Sequence, residues 1–204
     1  MKNKKEIKEE SLKKHFATTT KEMIEELGFE SVSARKIAEK SGYSCATIYN
    51  HFGNMDNLLW YTRNLMIEDV VDYMKTNSDD STVTAESIKK SFLTYTEYFI
   101  KNKNIFKFLF FNQLNKSEQE MRQYLENPEF IDMNVKILNS LKEIGKLSDR
   151  EVNTIMKTFI HSIHGMLVLL VSSNDDYTKV EMVSDISDMV DYMLNRKLGD
   201  SHRK

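Results

Sequence analysis

Residues that make turns are scarce in this chain, which has one proline and six glycines in 204 residues. Sandwiches and barrels need many turns, and turns favour these two residues because their backbones adopt or fix the required angles. The composition therefore predicts an all-α fold. The single cysteine, Cys45, excludes an intrachain disulfide and is typical of a reducing, cytoplasmic setting.

Apolar residues recur at helical spacing along the chain and predict about nine helices. Ser148 with Glu151, and Thr178 with Glu181, match a capping box, in which two side chains satisfy each other's backbone amides. These two boxes predict where the last two helices begin. The earlier helices are expected at about residues 6–27, 33–41, 44–52, 56–75, 84–101, 105–114 and 117–147, the last one bent at Pro128.

Charge is distributed unevenly between the two ends of the sequence. Residues 1–53 carry a formal charge of +2 and residues 54–204 a formal charge of −4, so a polyanion would prefer the N-terminal quarter. The most apolar stretch, residues 159–171, has 13 residues and is expected to be too short to cross a bilayer. The chain is therefore predicted to be cytoplasmic, without a membrane partner.

Residues 33–52 have the spacing of a helix-turn-helix. Ser33 and Ser44 can cap two short helices, and Gly42 can adopt the left-handed backbone that ends the first. Ile37 and Ile48 would face the core. The side chains expected to point outward from the second helix are those of Cys45, Ala46, Thr47, Tyr49 and Asn50.

The outward face of the second helix suits double-stranded DNA. Small side chains at residues 45–47 would let the helix enter a major groove, and Thr47, Tyr49 and His51 can donate hydrogen bonds to phosphates. The alternative is that three short helices merely pack together and that these residues are ordinary surface.

Three stretches, residues 28–38, 41–52 and 56–59, resemble the N-terminal signature of TetR/AcrR transcriptional regulators, and the segment 28–59 that contains them is about a sixth of the chain. The resemblance implies a three-helix helix-turn-helix DNA-binding domain at residues 1–55. It also implies a helical effector-binding and dimerisation domain at residues 56–204. The expected protein is a repressor that binds a palindromic DNA operator as a homodimer and is released by a small-molecule effector.

Carried over residue by residue, the resemblance implies which side chains contact DNA. The family usually has lysine at the position of Met55, and methionine cannot donate to a phosphate. Lys36 or the N-terminal lysines are expected to replace that contact. Phosphate contacts are expected from Ser33, Thr47, Tyr49 and His51, and base or groove contacts from Arg35, Ser44, Cys45, Ala46 and Asn50.

The resemblance also implies an effector pocket, for which the aromatic residues between positions 92 and 111 are candidates. His161 and His164 have the spacing of metal ligands on a helix, but no third ligand lies within a turn, so neither a metal nor a cofactor is predicted. The predicted pocket residues are Trp60, Tyr61, Met66, Tyr95, Phe99, Phe106, Phe110, His161 and His164.

The helix predicted after Ser148 is apolar on every side near its C-terminal half and so needs a second surface to cover it. A second copy of the chain would supply that surface. The predicted dimer interface consists of Ile160, Val168, Leu169, Val171, Val183, Ile186 and Val190.

The sequence contains neither a glycine-rich phosphate loop nor a G-x-S-x-G motif, so an enzyme is not predicted. Two alternatives to a ligand-responsive repressor stay open. One is an architectural or nucleoid-associated DNA-binding protein of the same fold without an effector. The other is a helical adaptor that does not bind DNA.

Overall fold

The computed structural model describes residues 3–77, 84–112, 114, 135–136, 138–139, 141–143, 147–172 and 177–200. Every regular element within these ranges is helical, which confirms the all-α prediction. The predicted bend at Pro128 lies outside the described residues. The helices are α1 (Lys4–Leu27), α2 (Ala34–Ser41), α3 (Cys45–Phe52), α4 (Met55–Asn77), α5 (Ala85–Lys101), α6 (Lys103–Phe111), α7 (Asp149–Ser172) and α8 (Lys179–Asp200), with a 3-10 turn at Phe29–Ser31.

The chain divides into two compact units that do not follow chain order. Unit 1 consists of residues 1–69 and 102–127, and unit 2 consists of residues 70–101 and 128–204. Helix α4 therefore contributes to both units, and α6 belongs to unit 1 although the preceding helix belongs to unit 2. The functional boundary predicted after residue 55 falls inside unit 1.

The core of unit 1 is built around an aromatic side chain of α1. The ring of Phe16 is fully buried and meets the rings of Tyr43 and Phe52 edge-on, with centroids 5.2 and 6.4 Å apart. Such pairs add to the gain from apolar burial. Helix α1 is thus the base on which α2 and α3 pack. The buried cluster comprises Phe16, Ala17, Met23, Ile37, Ala38, Ile48, Phe52 and Leu58.

Helix α6 is joined to α1 and α4 by polar contacts within unit 1. The side-chain amide of Asn104 donates to the backbone carbonyl of Glu25 at 2.9 Å. Nη1 of Arg63 donates to the carbonyl of Leu109 at 2.5 Å, close to the end of α6, where carbonyls lack partners within the helix. Burial lowers the pKa of the Arg63 guanidinium from its ordinary value.

Unit 2 packs α5 against α7 and α8. The rings of Phe92 and Phe159 lie 4.7 Å apart, and the ammonium of Lys89 pairs with the carboxylate of Asp191 at 3.0 Å. One contact is apolar and the other ionic, and together they fix α5 between the two long C-terminal helices.

Both predicted capping boxes are present. Glu151 accepts from the backbone N–H of Ser148 at 3.0 Å, and Glu181 accepts from that of Thr178 at 2.8 Å. In return, the Ser148 and Thr178 hydroxyls accept from the backbone N–H groups of Glu151 and Glu181. Helices α7 and α8 therefore begin where the sequence predicted.

Helix α7 exposes much of its apolar surface. Its 24 residues make it long and apolar enough to cross a membrane by length and composition alone, and only 22% of its most apolar window is buried. The helix is longer than the 13-residue apolar run because it also includes residues 149–158, in which charged and polar side chains are interspersed with apolar ones. Ile160 and Leu169 are exposed on α7 and Val183 on α8, whereas Ile186 and Val190 are fully buried within the chain. The last two therefore offer no surface to a partner.

Candidate nucleic-acid interface

The helix-turn-helix is closed by the three residues that the sequence indicated. Ser33 accepts from the backbone N–H of Lys36 at 3.4 Å, and Ser44 accepts from that of Thr47 at 3.1 Å. Gly42 lies between the two helices with φ of 76° and ψ of 22°, the left-handed conformation that side chains with a Cβ disfavour. These caps fix both the end of α2 and the start of α3.

A histidine of α1 also holds the turn, and sequence reasoning missed it. Nε2 of His15 lies 3.2 Å from the backbone carbonyl of Ser41, at the C-terminal end of α2. The ring of His15 also meets the ring of Tyr43 at 5.9 Å. The turn is therefore supported from α1 as well as by its own glycine. No local motif signals this contact, because 26 residues separate its partners.

The recognition face of α3 is open as predicted for three of its side chains. Ala46, Tyr49 and Asn50 are exposed, and the polar groups of Tyr49 and Asn50 form no hydrogen bond within the described part of the chain. On α2, Arg35 and Lys36 are exposed too. One short capped helix therefore exposes the small methyl group of Ala46, the phenol hydroxyl of Tyr49 and the side-chain amide of Asn50.

Cys45 and Thr47 are less accessible than the predicted outward orientation implies. Cys45 is half-buried and packs against the core of unit 1. The hydroxyl of Thr47 lies 2.9 Å from that of Ser44, so the two share a hydrogen bond. The hydroxyls of Ser44 and Thr47 are therefore partly engaged in capping α3.

Met55 faces the core of unit 1. It is half-buried and packs against the cluster that holds Phe52 and Leu58. The methionine therefore contributes apolar packing at the first turn of α4, at the position where the resemblance led us to expect a phosphate-binding lysine.

A groove of about 760 Å³ runs between α1, the last turn of α3 and the N-terminal half of α4. Its walls include Lys14, His51 and Asn64. Tyr61 also lines it, and its hydroxyl donates to the carboxylate of Glu10 at 2.5 Å. Burial, together with that carboxylate, raises the pKa of Tyr61 from its ordinary value. Tyr61 was predicted in an effector pocket, and the structure places it in this groove of unit 1.

The other predicted pocket residues are distributed over the two units. In unit 1, Trp60, Met66 and Phe106 are buried, whereas Phe110 is exposed. The guanidinium of Arg63 lies over the Trp60 ring at 5.6 Å. These residues stay predicted pocket residues.

In unit 2, the predicted pocket residues include a polar pair. The hydroxyl of Tyr95 and Nε2 of His164 are 2.8 Å apart, and Phe99 packs against the Tyr95 ring at 4.9 Å. Burial raises the pKa of Tyr95, and burial together with His161 lowers the pKa of His164. His161 itself is exposed. Among the described residues no three His, Cys, Asp or Glu side chains come together as a metal site.

The N-terminal sequence is similar to known regulators. Residues 17–60 match the family described as bacterial regulatory proteins, tetR family. The HTH-type transcriptional regulator PksA of Bacillus subtilis (strain 168) is 37% identical over 71 residues, which are 35% of this chain and 35% of PksA. The match thus spans about a third of that relative's length.

Solved structures share the fold over nearly the whole chain. The regulator FadR from Bacillus subtilis, solved with stearoyl-CoA, aligns with a TM-score of 0.65 and 16% identity over 89% of this chain and 97% of its own. BioQ, solved with its double-stranded DNA operator, aligns with a TM-score of 0.63 and 14% identity over 90% of this chain and 98% of its own. At these identities the likeness concerns the fold.

Proposed function

We propose that this chain, whose residues 17–60 match the tetR family of bacterial regulatory proteins, is a transcriptional regulator of that family and represses transcription by binding a palindromic operator. The observation that carries the proposal is the capped helix α3, which exposes Ala46, Tyr49 and Asn50 together. A helix of this kind fits the major groove, where base edges differ from pair to pair.

The residues proposed to contact the operator divide into three groups. Tyr49, His51 and Lys36 would bind phosphates and so set the position of α3 on the duplex. Arg35 and Asn50 would read base edges. The capping residues Ser33 and Ser44 would present the first backbone amides of α2 and α3 to the phosphates, as helix N-termini do with anions.

We propose a homodimer formed through α7 and α8. Ile160, Leu169 and Val183 are exposed apolar side chains on these two helices, and water is a poor solvent for such a surface. A two-fold axis would place the two recognition helices about 34 Å or a multiple of it apart, and the operator would share the symmetry. Such a dimer would act in the cytoplasm, where its operator is.

A small-molecule effector is proposed to release the operator. The solved relative FadR holds stearoyl-CoA, which supports a ligand-responsive role for this fold. The pair of Tyr95 and His164 in unit 2 would orient a ligand that carries a polar group, since both side chains can form hydrogen bonds. The apolar rings around them would bind the rest.

Selection of bound sequences from random duplex DNA tests the proposal. We expect an enriched site with two-fold symmetry, and a screen of small molecules against that complex should then find one that releases it. An architectural DNA-binding protein would instead enrich no sequence and would cover many genomic sites. A chain without salt-dependent DNA binding would refute the proposal altogether.

A further inference from the structure

The first turn of α4 follows the recognition helix but offers no cation to the DNA backbone. Met55 packs against the core, Asp56 is acidic, and the side-chain amide of Asn57 donates to the carbonyl of Phe52 at 2.6 Å. Another part of unit 1 must therefore supply positive charge beside the end of α3, if the backbone there is to be neutralised.

The groove described above brings such a charge to that place. Lys14 of α1 and His51 of α3 line the same groove although 37 positions separate them in the sequence. His51 lies in the last turn of the recognition helix. Its ring meets the ring of Phe16, whose centroid is 6.5 Å away, and its nitrogens form no hydrogen bond within the described residues. The imidazole thus lies beside α1, and its nitrogens are not engaged by the described residues.

Lys14 is the lysine of this groove without a carboxylate partner in the described part of the chain. The neighbouring Lys13 pairs with Glu9 at 3.3 Å. The carboxylate of Glu10, which also lines the groove, accepts from the Tyr61 hydroxyl. Lys14 is exposed and forms no ion pair among the described residues. An exposed ammonium without a carboxylate partner is a mobile point charge on a flexible stem and can pair with an anion that approaches it.

We propose that Lys14 and His51 together bind one backbone phosphate beside each half-site, a proposal that rests on the operator binding proposed above. The occupant is the DNA backbone, because the groove includes the last turn of α3, whose Tyr49 is proposed above to bind a phosphate. Lys14 supplies the point charge and His51 a directed donor, and hydrogen bonds between an ammonium and a phosphate are among the stronger ones. Lys14 is a positioning residue: it fixes α3 on the duplex and reads no base.

The test is the salt dependence of operator binding for Lys14→Gln. Each phosphate contact contributes about 0.9 to the slope of log affinity against log salt. The variant should therefore lose about 1.8 from the slope of a dimer, and it should bind specific and random DNA more weakly by the same factor. Fluorescence anisotropy with the selected operator, between about 50 and about 200 mM salt, measures both quantities.

Two further variants separate a phosphate contact from other causes. Lys107→Gln removes the same charge from an exposed position of α6, in the same unit and outside the groove, and should keep the slope of the unmodified protein. Lys14→Arg retains the cation and should restore the slope. Equal thermal unfolding of Lys14→Gln and the unmodified protein would show that the change in slope does not arise from the fold.

The outcomes distinguish this inference from the proposed function. A slope for Lys14→Gln equal to that of Lys107→Gln, in a protein that still selects a palindromic site, would overturn the phosphate contact alone. A loss at the selected site only, with random DNA bound as before, would also overturn it, because it would mean that Lys14 reads a base. If the unmodified protein selects no DNA, the proposed function itself fails.

Discussion

At the scale of single residues, Arg35 is suited to reading a base. It is exposed in the first turn of α2 and forms no ion pair within the described residues. An arginine that binds guanine through both its donors contributes about 1 to 3 kcal/mol of discrimination. We predict that Arg35→Ala relaxes the preference at one position of each half-site, measured by repeating the selection from random DNA. A uniform loss of affinity for every sequence would make Arg35 a phosphate contact instead.

His164 gives the stability of the protein a dependence on pH. Its pKa is lowered by burial and by the nearby His161, so the folded state favours the neutral ring. As the pH falls below the ordinary value of about 6.5, the unfolded chain takes up this proton first, and the free energy of unfolding decreases. Above that pH the contribution is fully present.

We predict that His164→Gln loses less stability between about pH 7.5 and about pH 5.5 than the unmodified protein. Urea denaturation at the two pH values measures the difference. Tyr95→Phe serves as the control and should keep the pH dependence of the unmodified protein. It removes the hydroxyl that contacts Nε2 of His164 but leaves the titrating ring in place. Identical pH dependence with and without His164 would contradict the prediction.

At the scale of elements, the turn between α2 and α3 depends on Gly42. An added Cβ would meet no atom within 4 Å, so any cost of substitution comes from the backbone angle alone. We predict that Gly42→Ala lowers the free energy of unfolding by about 1 to 2 kcal/mol. Denaturant titration checks this, with Glu39→Ala on the exposed face of α2 as the control, which should stay within about 0.5 kcal/mol. A variant as stable as the control would mean that the turn adopts another conformation.

Local signals in the sequence predicted most of the helix boundaries. Ser33, Gly42, Ser44 and the two capping boxes act within four residues of themselves, so their effect can be read from a single chain. The start of α1 was missed by two residues because its cap is Asn3, which accepts from the backbone N–H groups of Lys5 and Glu6. Asparagine caps helices as well as serine does, and its pattern with Glu6 was available in the sequence.

Contacts between distant segments could not be predicted in the same way. The contact of the His15 ring with the helix-turn-helix and the proximity of Lys14 to His51 both depend on how α1 packs on α2 and α3. No spacing rule in the sequence predicts that packing. Met55 was identified as a departure from the family, yet its packing against the core emerges only when Phe52 and Leu58 are placed beside it. The proposed contacts from α2 and α3 could thus be inferred from local spacing, whereas the one from α1 could not.

At the scale of the whole molecule, the proposed dimer would cover the exposed apolar face of α7. Leu169 is 55% exposed near the end of that helix. We predict that Leu169→Lys yields monomers in sedimentation at micromolar concentration and weakens operator binding, because one recognition helix holds only one half-site. Asn153→Lys, at an exposed polar position of the same helix, should remain a dimer. If the Leu169→Lys variant is still dimeric, the dimer interface does not include this face of α7.

The split of unit 1 into two pieces of chain limits how the DNA-binding part can be transplanted. A hybrid regulator joined after residue 55 would leave behind Leu58 of the buried cluster and the whole of α6, whose Asn104 holds the carbonyl of Glu25. The donor fragment would have to include α4 to Asp69 and a second insert that restores α6. An engineer who wants to exchange operators should therefore replace the surface side chains of α2 and α3 and keep the host's own framework.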